Sequence, residues 1–335
     1  MATKIETKTA AKMPTKTPAK AAGKERRSEQ RIVRERVLVT GAASSLGRVL
    51  CQRLHRTFDV IAVDPRPFPG RPKDVEHTDV DLRRKAAQTL IKKRRPDVVV
   101  HIGPLHDERT NVRTSAKIEG TATLLSLVEL VRARKLIYLS SAMLYGPSPT
   151  SAAFLSEDSP LLAGQGENAM ADAIAVDMMV QSFFWKRPET ETVILRPVHI
   201  VGARVDTMPS RYLRLSRIPT LLGFDPMVQL VHEDDFLDAI MLAVRSGVRG
   251  VFNITGPTQA PLSRLIAQRR ATHLPLPGFL LKPALFRARA LGITAVHDAA
   301  LDHLKYACLV DGKRAMDELA YVPHRTLHQA LHDLG

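Results

Sequence analysis

The sequence predicts an α/β protein built on a doubly wound parallel sheet with a smaller C-terminal lobe, and three observations carry that prediction. From Arg36 onward, short β-branched runs alternate with longer stretches of helical period, the pattern of repeated βα units. The first run, RVLVT at 36–40, passes through TGAASSLG at 40–47 directly into a helical stretch. The second, DVIAVD at 59–64, ends on an acidic residue.

Residues 1–31 stand apart from this body. Residues 1–36 hold 11 Lys and Arg against 4 Glu, a net of +7 out of +15 for the 335-residue chain. Lys4, Lys8, Lys12, Lys16, Lys20 and Lys24 recur every fourth residue among Ala, Thr and Pro. Such a composition buries too little apolar surface to offset the entropy of ordering, so a disordered basic tail is expected. Its charge would draw it to nucleic acid or to an anionic membrane, non-specifically because it has no aromatic residue to stack on bases. A solubilising extension without a partner is the plainer alternative.

The remaining strands are expected at 97–102 (DVVVHI), 135–141 (KLIYLSS), 192–198 (TVILRPV) and 251–255 (VFNIT). Between the first two strands, Leu46, Val49, Leu50, Leu54 and Phe58 repeat at three and four, which puts one helical face on the sheet. Residues 32–202 with 230–255 are expected as the sheet domain. Residues 203–229 with 256–335 break the alternation and carry many prolines and basic residues; they are expected as a substrate lobe over the carboxyl ends of the strands.

Composition bounds the function. With 44% apolar residues the chain can bury a full core. No apolar run approaches the roughly 18–20 residues of a membrane span, and the N-terminus has no apolar stretch of a signal peptide, so a cytoplasmic protein is expected. Cys51 and Cys308 are the only cysteines. Their separation supports neither a disulfide framework nor a zinc site, and both are expected as buried small hydrophobes.

TGAASSLG supplies the chemistry of a Rossmann-type dinucleotide site. Small residues let the backbone approach a pyrophosphate, and the helix N-terminus offers unpaired N–H groups and a partial positive charge. Gly41 and Gly47 hold the first and last glycine positions. Asp64 follows Gly41 by 23 residues, where a carboxylate accepts hydrogen bonds from an adenosine ribose. It would repel the 2′-phosphate of NADP, which Arg66 two residues on would offset, so NAD is expected over NADP.

Further motifs fall in one order: VDL at 80–82, EGTATLL at 119–125, YLSSAMLYG at 138–146, VILRPVHIVG at 193–202, VQLVHEDDFLDAI at 228–240, VFNITGP at 251–257 and LVDGKRAMDELAYVPHRTLHQAL at 309–331. In order and spacing the chain from about 32 to 331 resembles the extended short-chain dehydrogenase/reductases, the NAD-dependent epimerase/dehydratase group to which UDP-glucose 4-epimerase belongs. The resemblance implies that Gly41, Ser44, Ser45, Leu46 and Gly47 line the diphosphate and that Asp64, beside Arg66, holds the ribose. It further implies that Asp81 and Leu82 edge the adenine, that Ile102 and Gly103 pass under the cofactor, and that Pro197 and Val198 approach the nicotinamide. Ser44 replaces the middle glycine of the family's loop, where it narrows the approach to phosphate but has a hydroxyl to donate.

The resemblance also implies a catalytic tyrosine, a lysine four residues later and a helping serine. Ser141, four before Tyr145, matches the serine. If Asp177 is the acidic residue that follows the lysine by four, the lysine and tyrosine positions are Ala173 and Ala169; shifting by one gives Ile174 and Met170. None of the five tyrosines, Tyr138, Tyr145, Tyr212, Tyr306 and Tyr321, has a lysine four residues on, and Lys186 is the only lysine between Lys135 and Lys282. The pair is absent. Lys117 stands where the family has an asparagine, and one hypothesis gives it the lost ammonium's place at the nicotinamide ribose. His101, His106, His199 and His232 are read as core or strand-end residues, Asp235 as a helix cap, and HEDD at 232–235 lacks the spacing of a zinc helix.

Three functions compete. The first is a catalytically degenerate family member that binds NAD(H) and a nucleotide-sugar-like or other small ligand. The second is an active oxidoreductase or epimerase whose proton transfer falls to Ser141, Tyr145 or a lobe residue. The third is an interaction protein acting through the basic tail and the apolar–basic stretch 279–293. In the resembling family the helices matching 118–133 and 170–185 pair with their copies, which implies a homodimer.

Overall fold

The computed structural model describes residues 34–103, 114–149, 152–163, 168–245, 247–280, 283, 287 and 302–334. The expected tail at 1–31, His106, the side chain at 169 and most of 279–293 lie outside the described residues.

Strands β1 (Arg36–Thr40), β2 (Asp59–Asp64), β3 (Glu76–Asp79), β4 (Val98–Ile102), β5 (Lys135–Leu139) and β6 (Glu191–Pro197) come first. After them run β7 (His199–Val201), β8 (Arg217–Leu221), β9 (Met227–His232), β10 (Gly250–Ile254), β11 (Gln259–Pro261) and β12 (Thr272–Leu276). The helices are α1 (Ser45–Leu54), α2 (Lys85–Arg94), α3 (Thr114–Val131), α4 (Asn168–Lys186), α5 (Met208–Leu213), α6 (Glu233–Val244), α7 (Leu262–Gln268), α8 (Lys313–Leu319) and α9 (Leu327–His332).

Seven strands form one parallel sheet in the order β10-β6-β5-β4-β1-β2-β3. The register sets Val37 beside Val60 and Val98, and Leu38 beside Ile61 and Val99. Successive residues point to opposite faces, so each row meets its own helices. The Val37 and Val39 rows pack under Leu46 and Leu50 of α1 and Phe236 and Ile240 of α6. The Leu38 rows pack under Ile91 of α2, Leu124 and Val128 of α3, and Val176 and Val180 of α4. All six expected strands are present within a residue or two. β3 was not expected, because EHTD has neither β-branched apolar residues nor burial and lies at the sheet's edge.

The lobe strands pair as β11-β9-β7 and β12-β8. With α5, α7 and α9 they share an apolar cluster that includes Tyr212, Leu213, Ile218, Leu230, Leu265 and Leu331 and runs on to Met143, Leu144, Met170 and Ala173. Cys51 and Cys308 are free; Cys51 is buried and Cys308 only half-buried. Asp235 corrects an expectation. The cap of α6 is His232, whose Nδ1 accepts from the Asp234 N–H at 3.1 Å. Asp235 is buried and accepts the backbone N–H groups of His324 and Arg325 at 3.0 and 3.1 Å, anchoring a segment some 90 residues away in sequence.

A buried ion pair joins β6 to its neighbours. Arg196 and Asp177 are 1% and 0% exposed. Arg196 donates from Nη2 to Asp177 Oδ1 at 2.7 Å, from Nε to Oδ2 at 3.2 Å, and from Nη1 to the Tyr145 hydroxyl at 2.9 Å and the Glu157 carbonyl at 3.1 Å. Tyr145 in turn donates to Asn253 Oδ1 at 2.8 Å. Burial opposes the arginine's charge, but the hydrogen bonds and attraction of Asp177 outweigh it and raise its pKa. Arg196→Met strands a buried carboxylate, and urea unfolding at pH 7 should show a loss of about 3–5 kcal/mol with an unchanged denaturant slope. Pairing it with Asp177→Leu should recover most of that loss. A single-variant loss below about 1 kcal/mol would show that Asp177 finds another partner.

Candidate functional site

The loop after β1 is built by its two glycines for different reasons. Gly41 turns the chain at φ +74°, a conformation that favours glycine. Gly47 lies against that turn: a Cβ there would meet the Gly41 carbonyl oxygen at 2.4 Å, so α1 seats on the strand end only with glycine at 47. Ser44 has a structural task. Its hydroxyl donates to the Gly41 carbonyl at 2.7 Å and accepts the Gly47 N–H at 3.0 Å, which makes it the N-cap of α1. In this structure the hydroxyl's proton is held by the loop. The first turn still directs the N–H groups of Ser45 and Leu46 past the end of the helix, where no intrahelical acceptor exists. The Ser45 hydroxyl accepts the Asp206 N–H at 2.9 Å and so ties this loop to the segment entering α5.

Asp64, 1% exposed at the end of β2, braces the same loop. Its carboxylate accepts the Ala43 N–H at 3.1 Å, the Arg66 N–H at 2.9 Å, and Nε and Nη2 of Arg66 at 2.8 Å each. Arg66 thus clamps Asp64 bidentately in the place assigned to ribose hydroxyls. Next to it, Asp81 is paired with Arg83 at 2.9 Å, and the hydrogen bond from Arg83 holds its carboxyl below the usual range.

A cleft of about 800 Å³ opens between these strand ends. Gly41, Ser44, Asp64 and Arg66 form one part of its lining, Asp81 and Leu82 another, and Ile102, Gly103 and Lys117 a third. The Gly103 N–H bonds to the Leu139 carbonyl at 3.0 Å, fixing the chain where it leaves β4. Ser45, Leu46, Gly47, Ser141, Pro197 and Val198 do not line this cleft.

His101 also lines it, a role the sequence did not single out. Its Nδ1 lies 2.6 Å from the Thr40 hydroxyl and its Nε2 lies 2.9 Å from that of Thr121. Thr121 donates its proton to the Lys117 carbonyl at 3.0 Å, so it accepts from Nε2–H, and Nδ1 accepts from Thr40. Burial pushes His101 down to about 4, so the imidazole is a neutral bridge between β1 and α3 and carries no proton to exchange near neutral pH.

At the carboxyl end of β5 the groups named for proton transfer take part in structural hydrogen bonds. The Ser141 oxygen accepts the Met143 N–H at 3.2 Å and caps the 3-10 turn Ala142–Tyr145. Tyr145 is held between Arg196 and Asn253, and burial raises its pKa above the ordinary value. Ala173, the expected lysine position on α4, is 1% exposed and packs in one cluster with Met143, Leu144 and Met170. Pro197 ends β6, and the Val198 N–H bonds to the Ile254 carbonyl at 3.0 Å. Among the described residues no group of His, Cys, Asp and Glu is arranged to hold a metal ion, and no helix is long and apolar enough to cross a membrane.

Comparison with known proteins agrees with this geometry. An uncharacterized protein of Mycobacterium tuberculosis is 29% identical over 309 residues, covering 89% of this chain and 82% of the relative. The 3-diazoavenalumate denitrifying reductase of a Streptomyces species is 27% identical over 296 residues, covering 81% of this chain and 94% of that protein. Among solved structures, UDP-glucuronic acid 4-epimerase from Bacillus cereus, in complex with UDP-glucuronic acid and NAD, superposes with a TM-score of 0.69 at 19% identity. The match covers 89% of this chain and 97% of that one, and shows a shared fold. The sequence profile of the NAD dependent epimerase/dehydratase family matches residues 37–255, well over half of the chain. The chain belongs to the NAD-dependent epimerase/dehydratase family.

Proposed function

We propose that this protein binds NAD(H) in the cleft at the carboxyl ends of β1, β2 and β4, and that it does so without the tyrosine and lysine proton relay implied by its family resemblance. The observation that carries the second half is Ala173. The place of an ammonium is filled by hydrocarbon, with Met143, Leu144 and Met170 around it, and Ser141 and Tyr145 are both engaged in structural hydrogen bonds.

The residues present fit the cofactor. Ser45 and Leu46 N–H groups at the start of α1 suit a diphosphate, with the helix dipole adding to their pull. Asp64 receives ribose hydroxyls once the Arg66 guanidinium turns aside, while Asp81 and Leu82 border the adenine. Ile102 and Gly103 form the floor, and Pro197 and Val198 mark the nicotinamide side. Bound NAD would supply hydride exchange; this chain's residues hold and orient it. Solved structures of this fold such as the Bacillus cereus epimerase are crystallised with NAD, which supports the assignment.

The outward face of α3 and α4 supports a homodimer. On α4, Ala171, Ala175, Met178 and Trp185 are exposed in one stripe, and beside them α3 exposes Ala122, Ser126 and Leu130. Met178 and Trp185 are 53% and 77% exposed, an apolar helical stripe with small residues that allow close approach of a second copy.

Calorimetric titration with NADH should give micromolar binding that Asp64→Ala weakens by about tenfold or more, with thermal unfolding as the control for loss of the Ala43 contact. Absence of binding by NAD, NADH and NADPH alike would sink the cofactor reading. With UDP-glucose, hydride-linked turnover should stay at background, and rates well above it would end the case for a lost proton relay. Light scattering at micromolar protein should report twice the 37.0 kDa chain mass, and Met178→Glu should shift it to the monomer; a monomeric wild type would refute the dimer.

A further inference from the structure

The lobe holds a second pocket, about 550 Å³ counted out into open solvent, of a different chemical character. Met208, Tyr212 and Leu213 of α5 line it together with Leu230 of β9 and Leu262 and Leu265 of α7. Its position puts it on the substrate side. β7 begins two residues after Pro197 at the carboxyl end of β6, and α5 follows Asp206, whose N–H is bonded to Ser45 at the start of α1.

Among the described residues no lysine, arginine, aspartate or glutamate lines the cavity. Its titratable linings besides Tyr212 are His199 and His303, in edge-to-face contact with ring centroids 5.9 Å apart. Burial pushes His199 down to about 4 and His303 to about 3, so both rings are neutral. Tyr212 is already engaged, donating to the Pro219 carbonyl at 2.7 Å.

Four of the lobe's arginines, which from sequence alone suit a diphosphate, have partners outside this lining. Arg214 donates to the carbonyls of Gly202 at 2.7 Å and Val205 at 3.2 Å. Arg269 donates to Leu331 and Leu213 carbonyls at 3.2 and 3.3 Å. Arg204 pairs with Glu233 at 2.7 Å, and Arg211 lies 3.8 Å from Asp206. A nucleoside diphosphate entering this cavity would lose its hydration and find no cation, a cost that nothing in the lining offsets.

We infer that this pocket takes the uncharged, ring- or chain-shaped hydrocarbon body of an organic substrate and excludes a nucleoside diphosphate. The inference rests on the proposed NAD(H) cleft only in calling this the substrate side. Selection here is by shape and by the absence of charge.

N-phenyl-1-naphthylamine, an uncharged fluorescent probe, tests this on the full chain. Its emission should rise saturably at one site per chain, decanol should displace it, and millimolar UDP-glucose should not. Val228→Asp, at the half-buried rim, should weaken probe binding by about tenfold or more, while Val228→Leu stays within about threefold of wild type. NADH titration of the same samples reports the cofactor cleft separately, and retained NADH binding in Val228→Asp shows that the variant folds. Displacement by UDP-glucose, absence of a saturable signal in the wild type, or full probe binding by a folded Val228→Asp would each overturn the inference. Loss of NADH binding beside an intact probe signal would count against the cofactor reading alone. If Val228→Asp fails to fold, the two competitors on the wild type decide the question.

Discussion

The buried pair of Arg196 and Asp177 is the constraint on which the carboxyl edge of the sheet depends. One guanidinium gathers α4 through Asp177, the 3-10 turn through Tyr145 and the segment at 157 through its carbonyl, and Tyr145 extends the set to Asn253 on β10. Removing two such charges from water costs several kcal/mol per ion, which their attraction offsets only when the remaining lone pairs are also filled. Here they are filled: the Ser140 hydroxyl donates to Asp177 Oδ2 at 2.5 Å and the Gln181 amide to Oδ1 at 2.7 Å. The network fixes the rotation of α4 about its axis, so Val176 and Val180 meet the sheet while Ala171, Ala175 and Met178 face outward.

That rotation explains what the helix has lost. Residues four apart lie on the same side of a helix, so position 173 shares the inward side with Asp177 and meets the 3-10 turn. With alanine there, the position belongs to one buried apolar cluster with Met143, Leu144 and Met170. The surroundings are complementary to a methyl group and not to an ammonium, which would enter a hydrocarbon cluster without a carboxylate or carbonyl assigned to it. Tyr145 shows the same economy, for its hydroxyl completes the arginine's hydrogen bonds. On the proposed reading, the site keeps the scaffold that positions a cofactor while Tyr145 and Asp177 hold that scaffold together.

How much of this was legible in the sequence follows from range. The central strands are legible because a strand buried on both faces reads as a continuous apolar run, and Gly41, Gly47 and Asp64 announce the cleft by local spacing. What the sequence hid is long-range or conformational. Asp235 looks like a cap, yet its partners are His324 and Arg325. Ser44 reads as a small loop residue, and its cap of α1 and its bond to the Gly41 carbonyl show only in the fold. The lobe strands β8, β11 and β12 each contain a proline and run only three to five residues, too short and too interrupted to read before their partners are known. The lobe's arginines were visible as charge, but their direction toward backbone carbonyls was not.

The two cavities demand opposite things of a ligand. In the cleft the Asp64 carboxylate already has partners, so on the proposed reading ribose hydroxyls exchange for the Arg66 guanidinium there. Arg66 is one-third exposed and can move into solvent, whereas Asp64 is sealed in place by the Ala43 N–H. The carboxylate therefore faces the ribose whichever way Arg66 turns, and the discrimination between NAD and NADP rests on whether the freed guanidinium stays close enough to neutralise a 2′-phosphate. The lobe cavity offers a ligand no charge to exchange, because its imidazoles are neutral and its tyrosine is engaged; the buried Nδ1 of His199 is left there without a partner. On the proposed readings, the cofactor meets the polar cleft and its reaction partner is chosen by what it lacks.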